Sequence, residues 1–410
     1  MNSEQHRLLT QVGKGTPMGD FMRGYWHPVA LSSQVEADGA PLLTWLLGER
    51  LVVFRDTEGK VGVLDDHCLH RGVSLSFGRN EECGLRCIYH GWKFAVDGRV
   101  METPNHDNAV YRERKRAKAY PVEERSGLIW TYIGPADRQP PLRRFDFDRV
   151  PDDHRTLFRA NSKANYLALW EGGVDSSHVG MLHTNDARPS WGAARRGEEV
   201  ESSAWDSLAP TYEVVDTDYG YRYVAFRGIP GRDDARHARA VPVMLPNMRI
   251  IPGHLAFAIA IIEVPMNDQE TATYQIAYTR DEPVDRDWMR AFLGFNGPRY
   301  DEKSCEVTMS WPHDMGQNRA AMATTSWSGF DAIEFEDVAM AMSLNDREWD
   351  RGEENLVAAD IAVMRLRQML LTAVKKHQDG SPPQASDIQD ISHALSYDRV
   401  VLDSEDWKAL

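Results

Sequence analysis

The pattern of apolar and polar positions divides the chain into two parts. Between residues 42 and 100, short runs of β-forming residues alternate with turn residues, which predicts a small all-β module. Asp97-Gly98 is a strong signal for a two-residue hairpin turn inside this module. The predicted strands are Leu43–Leu47, Leu51–Arg55, Lys60–Leu64, Trp92–Val96 and Arg99–Met101.

The second part of the chain mixes strand and helix patterns. After residue 285 the pattern becomes helical, and Asn355–Lys376 places apolar residues three and four positions apart along one face. Before that point, alternation favours an antiparallel sheet. Its predicted strands are Tyr212–Val215, Tyr221–Arg227, His237–Met244, Ala256–Val264 and Thr271–Thr279. We therefore expect an α+β protein in which a small all-β domain precedes a larger α+β domain. The larger domain has a central antiparallel sheet covered by helices, of the helix-grip type.

Turn-forming residues at 137–141 place a domain boundary near residue 140. The predicted domains are 41–140 and 141–410, preceded by an N-terminal segment, 1–40, with a short helix at Gly19–Tyr25.

Composition narrows the class of protein. The 410 residues are 42% hydrophobic and 10% aromatic, which excludes a disordered chain. A net charge of −15 argues against a nucleic-acid-binding surface. The longest apolar stretch, Leu255–Val264, is too short to cross a membrane, and the first residues do not resemble a signal peptide. Four cysteines exclude a disulfide scaffold and suit a reducing compartment. We expect a soluble cytoplasmic protein.

Two cysteine–histidine pairs lie in the all-β module. Cys68 and His70 form the first pair, and Cys87 and His90 form the second, each on a predicted turn between strands. Two thiolates and two imidazoles suit either a tetrahedral Zn²⁺ site or a Rieske [2Fe–2S] cluster, which has two thiolates on one iron and two imidazoles on the other. Cys83 and Cys305 lie outside both pairs and are interpreted as ordinary reduced thiols.

A second group of potential metal ligands lies in the larger domain. His178 and His183 are five residues apart, so a helix end or a local distortion is needed to point both imidazoles at one centre. Two histidines and one carboxylate form the facial triad of non-haem Fe(II) oxygenases, which leaves positions open for O₂ and substrate. The histidine spacing alone is weak evidence, but it gains weight beside the cysteine–histidine pairs.

Several motifs together resemble the oxygenase component of Rieske non-haem iron oxygenases, in the subgroup of phthalate 4,5-dioxygenase and phenoxybenzoate dioxygenase. Arg71 follows His70 where respiratory Rieske proteins have a cysteine, which favours the oxygenase type, and Leu69 replaces a frequent proline. The matching motifs are Gly15–Met18, Cys68–Gly72, Cys87–Trp92, Glu171–His178, Asn318–Met322 and Asp360–Arg365.

The resemblance implies ligands and an assembly. It makes Cys68, His70, Cys87 and His90 the cluster ligands, and His178, His183 and a downstream aspartate the iron ligands. Asp337 matches the family pattern for that aspartate, although Glu334 and Glu336 are nearby alternatives. Asp175 is either a helix N-cap or a bridge between His178 and a Rieske histidine of a neighbouring subunit. The bridge implies a homotrimer or stacked trimers, and the resemblance also implies that the N-terminal segment packs with the catalytic domain.

The implied activity is hydroxylation of an aromatic substrate, with an aryl carboxylate favoured, by the terminal component of a multicomponent system. O₂ is the co-substrate. Electrons come from NAD(P)H through a reductase that carries flavin and a plant-type [2Fe–2S] centre, with or without a separate ferredoxin. O-demethylation or aryl-ether cleavage uses the same metals and stays an alternative. Two further alternatives are a Rieske electron carrier or ligand-binding protein without oxygenase activity, and a binding protein stabilised by a structural zinc ion.

An anionic substrate needs arginine in or near the pocket, and Arg239 and Arg249 lie on predicted strands. Met181, Trp327 and Phe330 are near the predicted ligands in sequence and are candidates for the pocket wall, although core packing is the more common role for any one of them.

Overall fold

The computed structural model describes residues 1–188, 203–253, 257–345 and 353–409. The chain begins with two short helices, Ser3–Thr10 and Pro17–Met22. The second starts two residues before the predicted Gly19–Tyr25 because Thr16 caps it and Pro17 occupies the first turn. No helix in the described ranges is long and apolar enough to cross a membrane.

Three small antiparallel sheets form the β-rich part of the chain. The predicted strands near residues 43–64 are confirmed to within two residues. The predicted strand Trp92–Val96 is shorter in the structure, Lys93–Phe94. Trp92 belongs to the preceding loop, where its carbonyl accepts a hydrogen bond from the Cys87 N–H. The first sheet contains Trp26–Leu31, Leu128–Tyr132 and Val122–Arg125. The second contains Leu42–Leu46, Glu49–Arg55 and Val61–Asp65. The third contains Arg79–Glu81, Gly84–Arg86, Lys93–Phe94 and Val100–Glu102.

A ten-stranded, largely antiparallel sheet organises the rest of the chain, which confirms the predicted α+β class. In spatial order its strands are Thr211–Asp216, Gly220–Ile229, Arg232–Met244, Met248–Pro252, Ala258–Pro265, Thr271–Tyr278, Arg155–Ser162, Glu306–Val307 and Tyr300–Asp301. A tenth strand, Tyr397–Leu402, pairs with Arg232–Met244. Arg155–Ser162 and the strands after residue 299 have no counterpart in the predicted pattern, and Met248–Pro252 is the strand expected around Arg249, for which no bounds were predicted. Residue 256 of the predicted strand Ala256–Val264 lies outside the described residues.

Helices pack against this sheet. The predicted helix Asn355–Lys376 begins only at Ile361, because a short 3₁₀ turn precedes it, and Leu356 is exposed rather than part of the buried face. The described α-helices beyond the N-terminal pair are Ala109–Glu113, Tyr166–Val174, Val179–Leu182, Thr184–Ala187, Arg286–Leu293, Arg319–Met322, Ile333–Asn345 and Ile361–Gln378.

The two faces of the large sheet differ in chemistry. Along the strand Thr271–Tyr278, Tyr274 and Ile276 point into the larger apolar cluster, in which Phe147 packs against Tyr278 of the same face. Thr273 and Gln275 point the other way and are buried beneath the helix Ile333–Asn345. This alternation gives one face of the sheet a set of buried polar groups at the place where the potential iron ligands lie.

Candidate active site

The two cysteine–histidine loops have the same backbone geometry. In each loop the cysteine N–H donates to the carbonyl five residues later, and the cysteine carbonyl accepts from the N–H four residues later, at 2.8–2.9 Å. The fourth residue has a positive φ, +75° at Gly72 and +76° at Gly91, which glycine adopts without strain. Cys68 and Cys87 therefore begin two matched turns that hold His70 and His90 close to each other.

The four donor groups of these loops converge. The Nδ1 atoms of His70 and His90 are 3.1 Å apart, and the side chains of Cys68 and Cys87 are buried in one cluster beneath them. Burial, together with the neighbouring Cys87, raises the pKa of Cys68 to about 11. Two adjacent buried thiols and two converging imidazole nitrogens fit a [2Fe–2S] cluster, whose irons would hold the sulfurs as thiolates. All four cysteines lie in the described part of the chain, and none forms a disulfide.

Apolar side chains surround the two histidines at the surface. Leu69, Ile88 and Tyr89 are 40%, 63% and 51% exposed, and they lie beside His70 and His90 in sequence. An exposed apolar rim of this kind is typical of a surface that another protein covers.

The second group of ligands depends on an interrupted helix. The short helix Val179–Leu182 ends at His183, whose backbone angles (φ −92°, ψ 33°) break the helical path. This is the distortion that a five-residue spacing requires, and it brings the Nε2 atoms of His178 and His183 to 3.2 Å from each other.

Asp337, on the helix Ile333–Asn345, completes a three-residue group with these histidines. Its Oδ1 lies 3.5 Å from His178 Nε2 and 3.2 Å from His183 Nε2. These three side chains could hold a metal ion, since one ligand atom of each lies within 4.8 Å of the others. The His183 side chain is only 4% exposed, whereas that of Asp337 is 38% exposed. One side of the group is thus closed by protein and the other is open.

Glu336 holds the second nitrogen of His183. The Nδ1 of His183 is 2.5 Å from Glu336 Oε2, and the hydroxyl of Ser328 donates to the other oxygen of Glu336. Burial alone would lower the pKa of His183, but the charges of Asp337 and Glu336 outweigh it and raise that pKa to about 10. The same contacts with His183 and His178 overcome burial at Asp337 and hold the pKa of that carboxyl well below its usual range.

Glu334 faces away from the two histidines. It is buried and accepts a hydrogen bond from Gln275 on the sheet, and burial, with the nearby charges of Glu263 and Asp337, raises its pKa to about 8. Within one turn of a single helix, therefore, Asp337 meets both imidazole Nε2 atoms, Glu336 meets one Nδ1, and Glu334 contacts the sheet.

Asp175 lies on the outer side of His178. Its Oδ1 accepts from the N–H (2.7 Å) and the hydroxyl (2.6 Å) of Ser177, and its Oδ2 is 3.7 Å from His178 Nδ1. Burial would raise the pKa of Asp175, but the interactions with His178 and Ser177 outweigh it and lower the pKa. The carboxylate is thus held next to the imidazole of His178.

The two arginines named from the sequence have different surroundings. Arg249 donates to Glu263 at 2.9 Å, so its charge is neutralised within the protein. Arg239 is also buried, and its Nε is 3.9 Å from Asp398. His237 lies 2.5 Å from the other oxygen of Asp398, so two groups share this carboxylate.

Arg227, which no sequence pattern singled out, is a third buried arginine of this region. It is 2% exposed, donates to the Ser176 carbonyl at 2.6 Å and stacks 4.1 Å from the Trp205 ring. Its Nε and Nη1 have no hydrogen-bond partner among the described residues, nor have the buried hydroxyls of Tyr212 and Tyr223. Burial and the charge of Arg239 lower the pKa of Arg227 to about 10. A sequence signal exists in hindsight: Arg227 occupies an inward position of an alternating strand.

The three side chains suggested as pocket walls are placed differently from one another. Phe330 is buried in the apolar cluster beneath the helix Ile333–Asn345, and Met181 is 39% exposed. Trp327 is intermediate in exposure, and its backbone N–H donates to Asn185 at 2.8 Å.

Comparison with known proteins agrees with this geometry. The Rieske [2Fe-2S] domain family matches residues 25–121, and the family described as LigXa C-terminal domain like matches residues 131–410. The chain is 34% identical to the phthalate 4,5-dioxygenase oxygenase subunit of Pseudomonas putida, over 100% of this chain and 94% of the relative. It is 32% identical to the 3-chlorobenzoate-3,4-dioxygenase oxygenase subunit of Comamonas testosteroni, over 93% and 91%.

A solved structure supports the same fold. The terminal oxygenase of carbazole 1,9a-dioxygenase from Nocardioides aromaticivorans IC177 superposes with a TM-score of 0.59 at 18% identity, over 88% of this chain and 97% of that one. With a Rieske domain, a LigXa-type C-terminal domain and two converging ligand sets, the chain belongs to the Rieske non-haem iron oxygenases.

Proposed function

We propose that the chain is the terminal oxygenase of a multicomponent system that hydroxylates an aromatic carboxylate. O₂ is the co-substrate, and electrons come from NAD(P)H through a flavin and [2Fe–2S] reductase in the cytoplasm. The observation that carries the proposal is the convergence of His178, His183 and Asp337 on one point, in a chain that also carries the paired cysteine–histidine loops.

His178, His183 and Asp337 would hold the mononuclear iron. Each presents one ligand atom to the shared point, and together they form the two-histidine, one-carboxylate set that leaves further iron positions open. Glu336 accepts a hydrogen bond from the Nδ1–H of His183, which fixes the tautomer of the imidazole and leaves Nε2 free to bind the metal. Ser328 in turn orients Glu336. The carboxylate next to Asp337 thus acts by positioning a ligand.

Cys68, His70, Cys87 and His90 would hold the [2Fe–2S] cluster. When bound, the cluster supplies one-electron transfer and the mononuclear iron supplies O₂ activation. The protein's own contribution is geometric: the matched turns fix both imidazoles, and the apolar cluster around Phe330 and Phe335 shields the closed side of the iron site from water.

Asp175 would connect the iron site with the Rieske site of a neighbouring subunit, in a homotrimer or stacked trimers. Its carboxylate is already held beside His178, while His70 and His90 lie among exposed apolar residues that a second subunit would cover. Light scattering of the purified protein tests the assembly, and a monomeric mass would contradict it.

Arg227 and Arg239 favour a substrate with a carboxylate. Arg239 lies 3.9 Å from Asp398, a carboxylate that His237 also contacts. Two nitrogens of the buried Arg227 have no hydrogen-bond partner among the described residues. A buried charge in surplus is costly unless an anion pairs with it, and arginine pairs with carboxylates through two parallel hydrogen bonds. Since Arg227 donates to Ser176, two residues from His178, the anion would lie beside the iron site. The names of the phthalate and 3-chlorobenzoate relatives agree with this class of substrate.

Replacement of His178 by alanine should separate the two metal sites. Wild-type protein should contain about three irons and two sulfides per chain, and His178→Ala should contain about two of each, because only the mononuclear site loses a ligand. The visible absorption of the cluster should persist while substrate-dependent O₂ uptake disappears. The reciprocal variant, His70→Ala, should lose the Rieske spectrum. Preserved turnover in His178→Ala would contradict the site assignment, and a colourless wild-type protein without sulfide would favour zinc.

The carboxylate pocket is tested by Arg239→Gln with Arg236→Gln as its control. Both lie on the strand Arg232–Met244, but Arg236 points to the opposite face, where it pairs with Asp403 at 2.9 Å. Arg239→Gln should raise KM for an aryl carboxylate by roughly 30-fold or more, because a buried charge pair contributes about 2–5 kcal/mol. KM for the neutral amide of the same acid should differ little among the wild type, Arg239→Gln and Arg236→Gln.

Equal KM values for the acid in Arg239→Gln and Arg236→Gln would refute the carboxylate assignment while leaving the oxygenase assignment intact. Mass spectrometry of the products decides the reaction type, since ring hydroxylation adds oxygen to the aromatic product whereas O-demethylation removes a methyl group as formaldehyde.

A further inference from the structure

A strongly basic loop interrupts an otherwise acidic chain. Residues 112–118, Arg-Glu-Arg-Lys-Arg-Ala-Lys, contain five basic residues and one acidic residue, whereas the whole chain carries −15. This segment, which we call the basic loop, begins with the last two residues of the short helix Ala109–Glu113 in the Rieske part of the chain.

Part of the basic loop's charge is available to a partner. Arg114 and Lys115 are exposed, and neither forms an ion pair with any of the described residues. The others are partly neutralised: Arg112 lies 4.0 Å from Asp107, Arg116 lies 3.1 Å from Asp97 and Lys118 lies 2.8 Å from Glu49. The Arg116–Asp97 pair is exposed on both sides, so it holds its charge only weakly against competition from another anion.

The basic loop is in contact with the cluster site through aromatic rings. The Lys115 ammonium lies 5.4 Å from the centroid of the Tyr111 ring. Tyr111 in turn packs edge-on against Trp92, with 6.2 Å between the ring centroids. Trp92 stacks on His70 at 4.9 Å with its ring plane only 8° from parallel. The Trp92 indole N–H donates to Asn105 at 2.8 Å, which fixes the segment leading to the loop. A protein bound on the loop would therefore be separated from His70 by two aromatic side chains, Tyr111 and Trp92.

We propose that the basic loop is the docking surface for the electron donor, a redox protein with an acidic face around its iron–sulfur or flavin centre. This inference rests on the proposed function, in which the apolar rim of His70 and His90 is covered by a neighbouring subunit. Electrons then need a second approach to the cluster, and the Tyr111–Trp92–His70 contacts provide one that begins at the basic loop.

Charge explains why the donor should bind here. An acidic protein is repelled by most of a surface of net charge −15, so a local positive patch both attracts and orients it. Each docking event transfers one electron: the donor is oxidised, the cluster site is reduced, and no covalent bond forms or breaks.

The test is stopped-flow reduction of the oxidised holoprotein by a reduced, acidic plant-type [2Fe–2S] ferredoxin, with cluster bleaching as the readout. The variant is Arg114→Glu/Lys115→Glu. Its matched control is Lys375→Glu/Lys376→Glu, which reverses two adjacent exposed lysines on the helix Ile361–Gln378 and changes the net charge by the same amount. At low ionic strength the cluster of the loop variant should be reduced at least about tenfold more slowly than that of the wild type. The control should be reduced at close to the wild-type rate. The difference should vanish at about 0.5 M salt, where surface charges are screened.

Equal rates in the loop variant and the control at low ionic strength would overturn the proposal. So would wild-type reduction that does not depend on salt, or a changed oligomeric mass in the loop variant, which would make the loop a subunit interface. Photoreduction by deazaflavin, which needs no docking site, should reduce all three proteins at one rate. Product formed from that photoreduced protein tests the oxygenase function separately, because no donor protein takes part.

Discussion

One electrostatic contact in the larger domain, between Asp337 and the imidazoles of His178 and His183, connects segments that are far apart in the sequence. It joins the segment after the helix Tyr166–Val174 to a helix more than 150 residues later in the chain. Three ionisable groups lie together at a partly buried point, so their charges must compensate one another. Burial alone would lower the pKa of His183, but the carboxylates of Asp337 and Glu336 favour the protonated imidazole and raise that pKa to about 10. An iron ion would replace a proton of that imidazole, so metal binding and the stability of this region are coupled.

The sheet beneath this site serves two purposes at once. One face packs against Phe147 through Tyr278, while the other face presents Arg227, Arg239, Thr273 and Gln275 and also packs against the helix Ile361–Gln378, where Tyr221 donates to the Ala362 carbonyl. Strand alternation makes this division possible, since adjacent residues such as Tyr274 and Gln275 face opposite sides. Thr273 and Gln275 are paired with Glu263 and Glu334, whereas two nitrogens of Arg227 have no hydrogen-bond partner in the described part of the chain.

Local patterns in the sequence predicted those features that depend on nearby residues. The cysteine–histidine pairs sit on the expected turns, and strand alternation located five strands of the large sheet. Pairing across long distances was not predictable. Arg249 and Arg227 look equivalent in sequence, yet Arg249 is neutralised by Glu263 on the next strand and Arg227 is not. The separate contacts of Glu334, Glu336 and Asp337 likewise depend on what the sheet and the His178–His183 segment place around one helical turn. The domain limits at residues 40 and 140 stay predictions.

The most direct test of the account is anomalous diffraction at the iron edge from crystals of the anaerobically loaded protein. The account predicts a single iron peak bonded to the Nε2 atoms of His178 and His183 and to a carboxylate oxygen of Asp337, with Glu336 on His183 Nδ1. It also predicts a two-iron peak among Cys68, His70, Cys87 and His90. A mononuclear peak bonded to Glu334 or Glu336 in place of Asp337, or no peak between the two histidines, would contradict it.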